Sequence, residues 1–167
     1  PKREKMKVAH ITDTYYEVNG VAKTLQLQTE MALRNHKMQQ IITCGPGQKR
    51  AQVTNFIPIG TFELPEYPDI KLYYPPFLKM LEYCYTENFT HIHTATPGPI
   101  GLAALAIARI LKLPIFGTYH TALPQYTSFL TEDAAMEEIM WKFSIWYYNQ
   151  MDVVYVPSKA TGIELEN

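Results

Sequence analysis

The 167-residue chain predicts an α/β fold: one Rossmann-like parallel sheet with helices on both faces. Three observations predict it. Short apolar runs of strand length alternate with longer stretches of helical period. The segment IGLAALAIARILK (residues 100–112) is apolar on nearly all sides, as a helix covered on both sides is. Apolar residues make up 47% of the chain, enough for one sizeable core, so residues 1–167 are read as a single domain.

The elements follow in order. MKVAHIT (residues 6–12) reads as a buried strand, and residues 21 to about 36 as a helix with Val21, Leu25 and Ala32 on one face. MQQIITC (residues 38–44) is a second strand, stopped by the turn GPGQKR. The middle, VTNFIPIGTFELPEYPDIKLYYPP, is β-branched and aromatic but broken by prolines, so it predicts one or two short strands with loops. Pro75 and Pro76 open a helix reaching about Glu87. THIHTAT is a strand, PGP a turn, residues 100–112 a helix and PIFGTYH the next strand. After a polar loop, Met136, Ile139, Met140, Phe143 and Tyr147 recur at helical spacing. DVVYVPS is a final strand, and Ser158 caps a last helix.

Composition narrows the function. The net charge is −1 and no basic block occurs, which argues against nucleic acid as a partner. Cys44 and Cys84 lie far apart with no CxxC or zinc spacing, and read as reduced thiols of a cytosolic protein. The longest apolar stretch contains Arg109, Lys112 and Pro114 and is too interrupted to span a bilayer. No basic amphipathic helix announces membrane docking. The chain opens without Met and stops at GIELEN inside a helical pattern, so a domain of a longer protein is expected.

In such a sheet, ligands sit at the carboxyl ends of the strands, near a topological switch point. The residues just after each strand therefore carry the chemistry. Gly20 stands where the first strand's loop becomes a helix. It suits either a close main-chain approach to an anion or an ordinary permissive turn. No GxGxxG occurs, which disfavours a dinucleotide site and a nicotinamide oxidoreductase. Asp13 either satisfies loop amides or binds a hydroxyl. His91 and His93 project from one face of their strand, but no further metal-ligand motif accompanies them; His93, nearer the strand end, is the better cleft residue. His120 follows a strand and precedes an irregular loop, where an imidazole is either structural or reaches a hydroxyl or phosphate. The aromatic run YPDIKLYYPPFLKMLEYCY fits core packing first, an acceptor groove or lipid contact second.

Three segments, ITDTYYEVNGVAKTL, HIHTATPGPIGLAALAIARILKLPIFGTYHT and DVVYVPSKAT, in this order and spacing, resemble the N-terminal domain of family 4 (group 1) glycosyltransferases of the GT-B fold. The pattern is most similar to the branch with sulfolipid synthases and phosphatidylinositol mannosyltransferases. The resemblance implies a retaining transferase that moves a sugar from a nucleotide-sugar donor to a sugar, lipid or small-molecule acceptor without a metal or other cofactor. It implies a cytoplasmic enzyme, peripheral to the inner face of the membrane if its acceptor is a lipid. By position, His120 is implied as catalytic, Gly20 and Val21 as binding donor phosphate or sugar, and Asp13, Asn19, His93, Thr94, Thr96 and Gly98 as lining the acceptor side. A C-terminal nucleotide-binding domain is implied beyond Asn167, so the fragment alone is expected to be inactive. Three positions depart from the family's pattern: Asn19 precedes Gly20 where a double glycine is common, Thr90 takes an Asp position, and Ala95 takes the place of a second His. The alternative is a non-catalytic sugar- or nucleotide-binding module.

Overall fold

The structure, a computed structural model, describes residues 6–12, 38–45, 53–64, 67–95, 98–119 and 134–155. The strands are β1 (Lys7–Ile11), β2 (Met38–Cys44), β3 (Val53–Phe56), β4 (Gly60–Leu64), β5 (Tyr67–Tyr74), β6 (His91–Thr94), β7 (Ile115–Thr118) and β8 (Val153–Tyr155). The helices are α1 (Phe77–Thr86), α2 (Pro99–Leu111) and α3 (Ala134–Asn149). Six strands form one sheet in the order β3-β2-β1-β6-β7-β8. Every pairing in it is parallel, as the Rossmann-like α/β reading requires. The predicted helix at 21–36 and the helix after Ser158 lie outside the described residues.

One face of this sheet is deeply buried; the other is buried near β1 and β2 and opens to solvent at β8, where Val153 and Tyr155 are exposed. On one, Ala9, Ile11, Ile42, Ile92 and Ile115 join Met80 and Cys84 of α1, Ala104 and Ile107 of α2, and Tyr147 and Tyr148 of α3 in a single apolar cluster. On the other, Ile41 and His10 are buried side by side as register partners. The two cysteines are free and buried, and burial pushes the Cys84 thiol up to about 12.

Local chemistry sets the helix ends. Pro99 occupies the first turn of α2, where its missing N–H costs nothing. At the other end Lys112 takes the left-handed conformation (φ 55°), and the Leu113 N–H reaches back to the Ala108 carbonyl at 2.9 Å. This closes the helix before Pro114, which cannot continue it. The helix α3 buries only part of the stripe its spacing predicted. Ser144, Tyr147 and Tyr148 are buried, whereas Ile139 is exposed.

The middle region departs most from expectation. It holds three strands, and two of them, β4 and β5, form a separate antiparallel hairpin rather than extending the sheet. An isolated two-stranded unit is marginal in water. Tyr73 anchors this one by packing against the main core.

Gly117 explains how α3 approaches the sheet. A Cβ at this position would stand 3.1 Å from Met151 Cγ and 3.3 Å from Tyr148 Cδ1. Gly117→Val is therefore expected to destabilise the domain by about 2 kcal/mol through overpacking, measured as a lower denaturant midpoint at unchanged slope.

Candidate functional site at the carboxyl rim of the sheet

The strand order reverses direction between β1 and β6. From β1 the chain moves outward through β2 and β3; from β6 it moves the other way through β7 and β8. This is a switch point, and the crevice beside it lies at the carboxyl ends of β1 and β6. The loops that leave that rim carry Asp13, Asn19, Gly20 and Val21 after β1, Thr96 after β6, and His120 after β7. All six residues lie outside the described residues. His93, Thr94 and Gly98 are described.

The parallel register sets His10 of β1 beside His93 of β6. Their rings are 4.3 Å apart between centroids and tilted by 53°. His93 Nδ1 lies 3.3 Å from His10 Nε2, and His93 Nε2 lies 2.6 Å from the Thr118 hydroxyl at the end of β7. Tyr155 of β8 adds its ring 6.3 Å from that of His93. A polar row thus crosses four adjacent strands on one face of the sheet. Burial, and secondarily the charge of His93, lowers the pKa of His10 to about 3, so His10 is a neutral ring at physiological pH.

Thr94 faces the other way, as consecutive strand residues must. It is buried, and its hydroxyl lies 3.1 Å from that of Tyr147. On the same face Tyr148 donates its hydroxyl toward the Ala95 carbonyl at 3.4 Å and the Thr118 carbonyl at 3.5 Å. Burial, reinforced by Tyr119, holds the Tyr148 pKa above the ordinary tyrosine value, which keeps it a donor. Gly98 is the N-cap of α2, with extended backbone and no side-chain cap. Its carbonyl accepts the Leu102 N–H at 2.9 Å. It therefore brings the positive end of α2 to the rim at the switch point.

His91, at the start of β6, plays a different part. Its Nδ1 sits 2.8 Å from the Thr90 hydroxyl, and its ring stacks on Phe116. Thr90 accepts the Lys7 N–H at 2.9 Å and reaches the Lys7 carbonyl at 3.1 Å. Thr90 and His91 thus lock the amino edge, at the opposite end from the crevice. Among the described residues, no three of His, Cys, Asp or Glu are grouped to hold a metal ion, and no helix is long and apolar enough to cross a membrane.

Sequence reasoning did not single out His10, Thr118, Tyr147 or Tyr148. His10 carried a signal, being the one polar ring inside an otherwise apolar strand. Its pairing with His93 depends on strand register, which no local pattern states.

Because burial opposes charging of His10, the unfolded chain binds a proton between pH 6.5 and about 3 that the folded chain refuses. Stability is complete above pH 6.5 and falls as the pH drops through that window. Between pH 7 and pH 5 the loss from this residue is about 2 kcal/mol, and His10→Phe removes it, as urea denaturation at the two pH values would register.

Comparison with known proteins agrees with this architecture. The chain is 29% identical over 157 residues to the alpha-monoglucosyldiacylglycerol synthase of Streptococcus pneumoniae, covering 92% of this chain and 36% of that enzyme. It is 36% identical over 74 residues to the sulfoquinovosyl transferase SQD2 of Arabidopsis thaliana, covering 44% of this chain and 14% of that protein. The chain therefore spans about a third or less of the length of these relatives. Among solved structures, the UDP-GlcNAc 2-epimerase of Methanocaldococcus jannaschii shares the fold. Its TM-score is 0.57 at 13% identity, over 96% of this chain and 42% of that one. The profile of Glycosyltransferase Family 4 matches residues 18–167, and the chain belongs to that family.

Proposed function

We propose that the intact protein is a retaining glycosyltransferase. It moves a sugar from a nucleotide-sugar donor to an acceptor hydroxyl without a bound metal, and this chain supplies the acceptor-side half. The observation that carries the reading is the switch-point rim between β1 and β6 in a chain of Glycosyltransferase Family 4. The streptococcal relative is named for a glucosylated diacylglycerol, which favours a lipid hydroxyl as acceptor and a working position at the inner face of a membrane. The nucleotide would be held by a second, C-terminal domain of the same protein facing this rim.

In this reading the main-chain amides of Gly20 and Val21 meet the donor's diphosphate and stabilise the charge that develops on the leaving phosphate. His120 contacts the transferred sugar and steers the reacting hydroxyl. Asp13, Asn19, Thr96 and Gly98 border the acceptor. His93 and Thr94 stand at the base of that wall, on opposite faces of β6, and the positive end of α2 favours any negative group on the acceptor. The chain's own contribution is thus orientation and electrostatics at a rim rather than covalent chemistry.

Product analysis of the full-length protein with a panel of nucleotide sugars and diacylglycerol-based acceptors tests the reading. Transfer with the donor's anomeric configuration kept supports it; a protein that binds sugar nucleotide and transfers nothing would be a binding module instead. His120→Ala is expected to lower kcat by about 100-fold with the fold intact by circular dichroism. Wild-type turnover in that variant, with chemistry rate-limiting, would remove His120 from the mechanism.

A further inference from the structure

We propose that His93 is a positioning residue: backed by His10, its imidazole holds the Thr118 hydroxyl and so fixes the rim of β7 from which the chain continues to His120. The inference rests on the glycosyltransferase reading for its kinetic consequence, and on the described geometry for its structural one.

The geometry is specific. His10, His93 and Thr118 lie on one face of three adjacent strands, a placement set by the β1–β6 and β6–β7 registers. The His93–Thr118 contact, at 2.6 Å, is shorter than the usual nitrogen–oxygen hydrogen bond. The other ring nitrogen of His93 meets His10, so the imidazole is oriented from behind. A threonine hydroxyl both donates and accepts, and the bond survives either tautomer of the ring. Two further contacts hold the same rim. Tyr148 reaches the Thr118 carbonyl from the opposite face, and the Tyr119 N–H donates to the Tyr155 carbonyl at 2.9 Å. The end of β7 is therefore gripped through a side chain, a carbonyl and an amide, and His93 supplies the side-chain grip. Thr118 is two residues before His120 in sequence. A shift of about 1 Å in such a support is worth on the order of 100-fold in rate when the group it carries must meet a reacting atom.

The test uses the full-length enzyme. His93→Ala and Thr118→Val are each expected to lower kcat by about tenfold or more while both KM values stay within about twofold. His93→Gln, whose amide reaches the place of Nε2, and Thr118→Ser should recover most of the loss. The double variant His93→Ala/Thr118→Val should fall no further than the worse single, because both remove one interaction. Hydrogen exchange at the Tyr119 amide should quicken in both single variants and be restored in His93→Gln. Unchanged turnover in Thr118→Val, additive losses in the double variant, or a raised acceptor KM with intact kcat in His93→Ala would overturn the proposal; the last would make His93 a direct acceptor contact. Should His93→Ala fail to fold, Thr118→Val against Thr118→Ser decides alone. A wild-type protein that transfers no sugar would sink the glycosyltransferase reading, whereas unchanged exchange at Tyr119 would sink this inference independently of it.

Discussion

The pairing of β1 with β6 is the constraint on which the rest of the molecule depends. These strands are far apart in sequence, yet their parallel register creates the reversal of strand order, and with it the crevice. It also sets two histidines against each other in the middle of a sheet, with apolar Ile41 and Phe116 as their outer register partners. A buried polar group is tolerated only when it has partners. Here His93 meets His10 on one neighbouring strand and Thr118 on the other, so the polar row is also a device that specifies register. A slip of one residue would turn His10 into the apolar cluster on the opposite face and separate it from His93.

The rim is built asymmetrically. One face offers imidazole and hydroxyl groups; the other offers the tyrosines of α3, with apolar bodies in the core and hydroxyls at the strand ends. Gly117 eases this second arrangement, since any side chain there would crowd Met151 and Tyr148. Close packing and polar positioning are thus achieved by the same helix. The tyrosine rings contribute buried area, while the Tyr147 tip meets the Thr94 hydroxyl and the Tyr148 tip reaches the Ala95 and Thr118 carbonyls.

Much of the sheet was legible in the residues. The strands β1, β2, β6, β7 and β8, and the helices α1, α2 and α3, fall where apolar runs and helical spacing put them. The hairpin of β4 and β5 was not, because its prolines and mixed aromatic pattern state neither its pairing partner nor its separation from the sheet. The inward side of α3 was only partly legible: Tyr147 is buried as its spacing suggests, whereas exposed Ile139 and buried Ser144 obey the tertiary surroundings rather than hydropathy. Within the site, the period-two rule separates His93 from Thr94 without any structure, so both could not line one face. Gly98 is at the rim as its turn implied. The partners His10 and Thr118 required register, which is a property of two strands together.

Thr90 fastens the amino edge of the sheet through its side chain. It stands at the far edge of the sheet from the crevice. Its hydroxyl answers both the amide and the carbonyl of Lys7. An ionised carboxylate accepts but cannot donate, so Asp in this place would satisfy the amide and oppose the carbonyl. A hydroxyl at position 90 therefore fastens neighbouring strands at their origin in a way a carboxylate could not. Recognition in a sheet of this kind belongs to the loops at the other end.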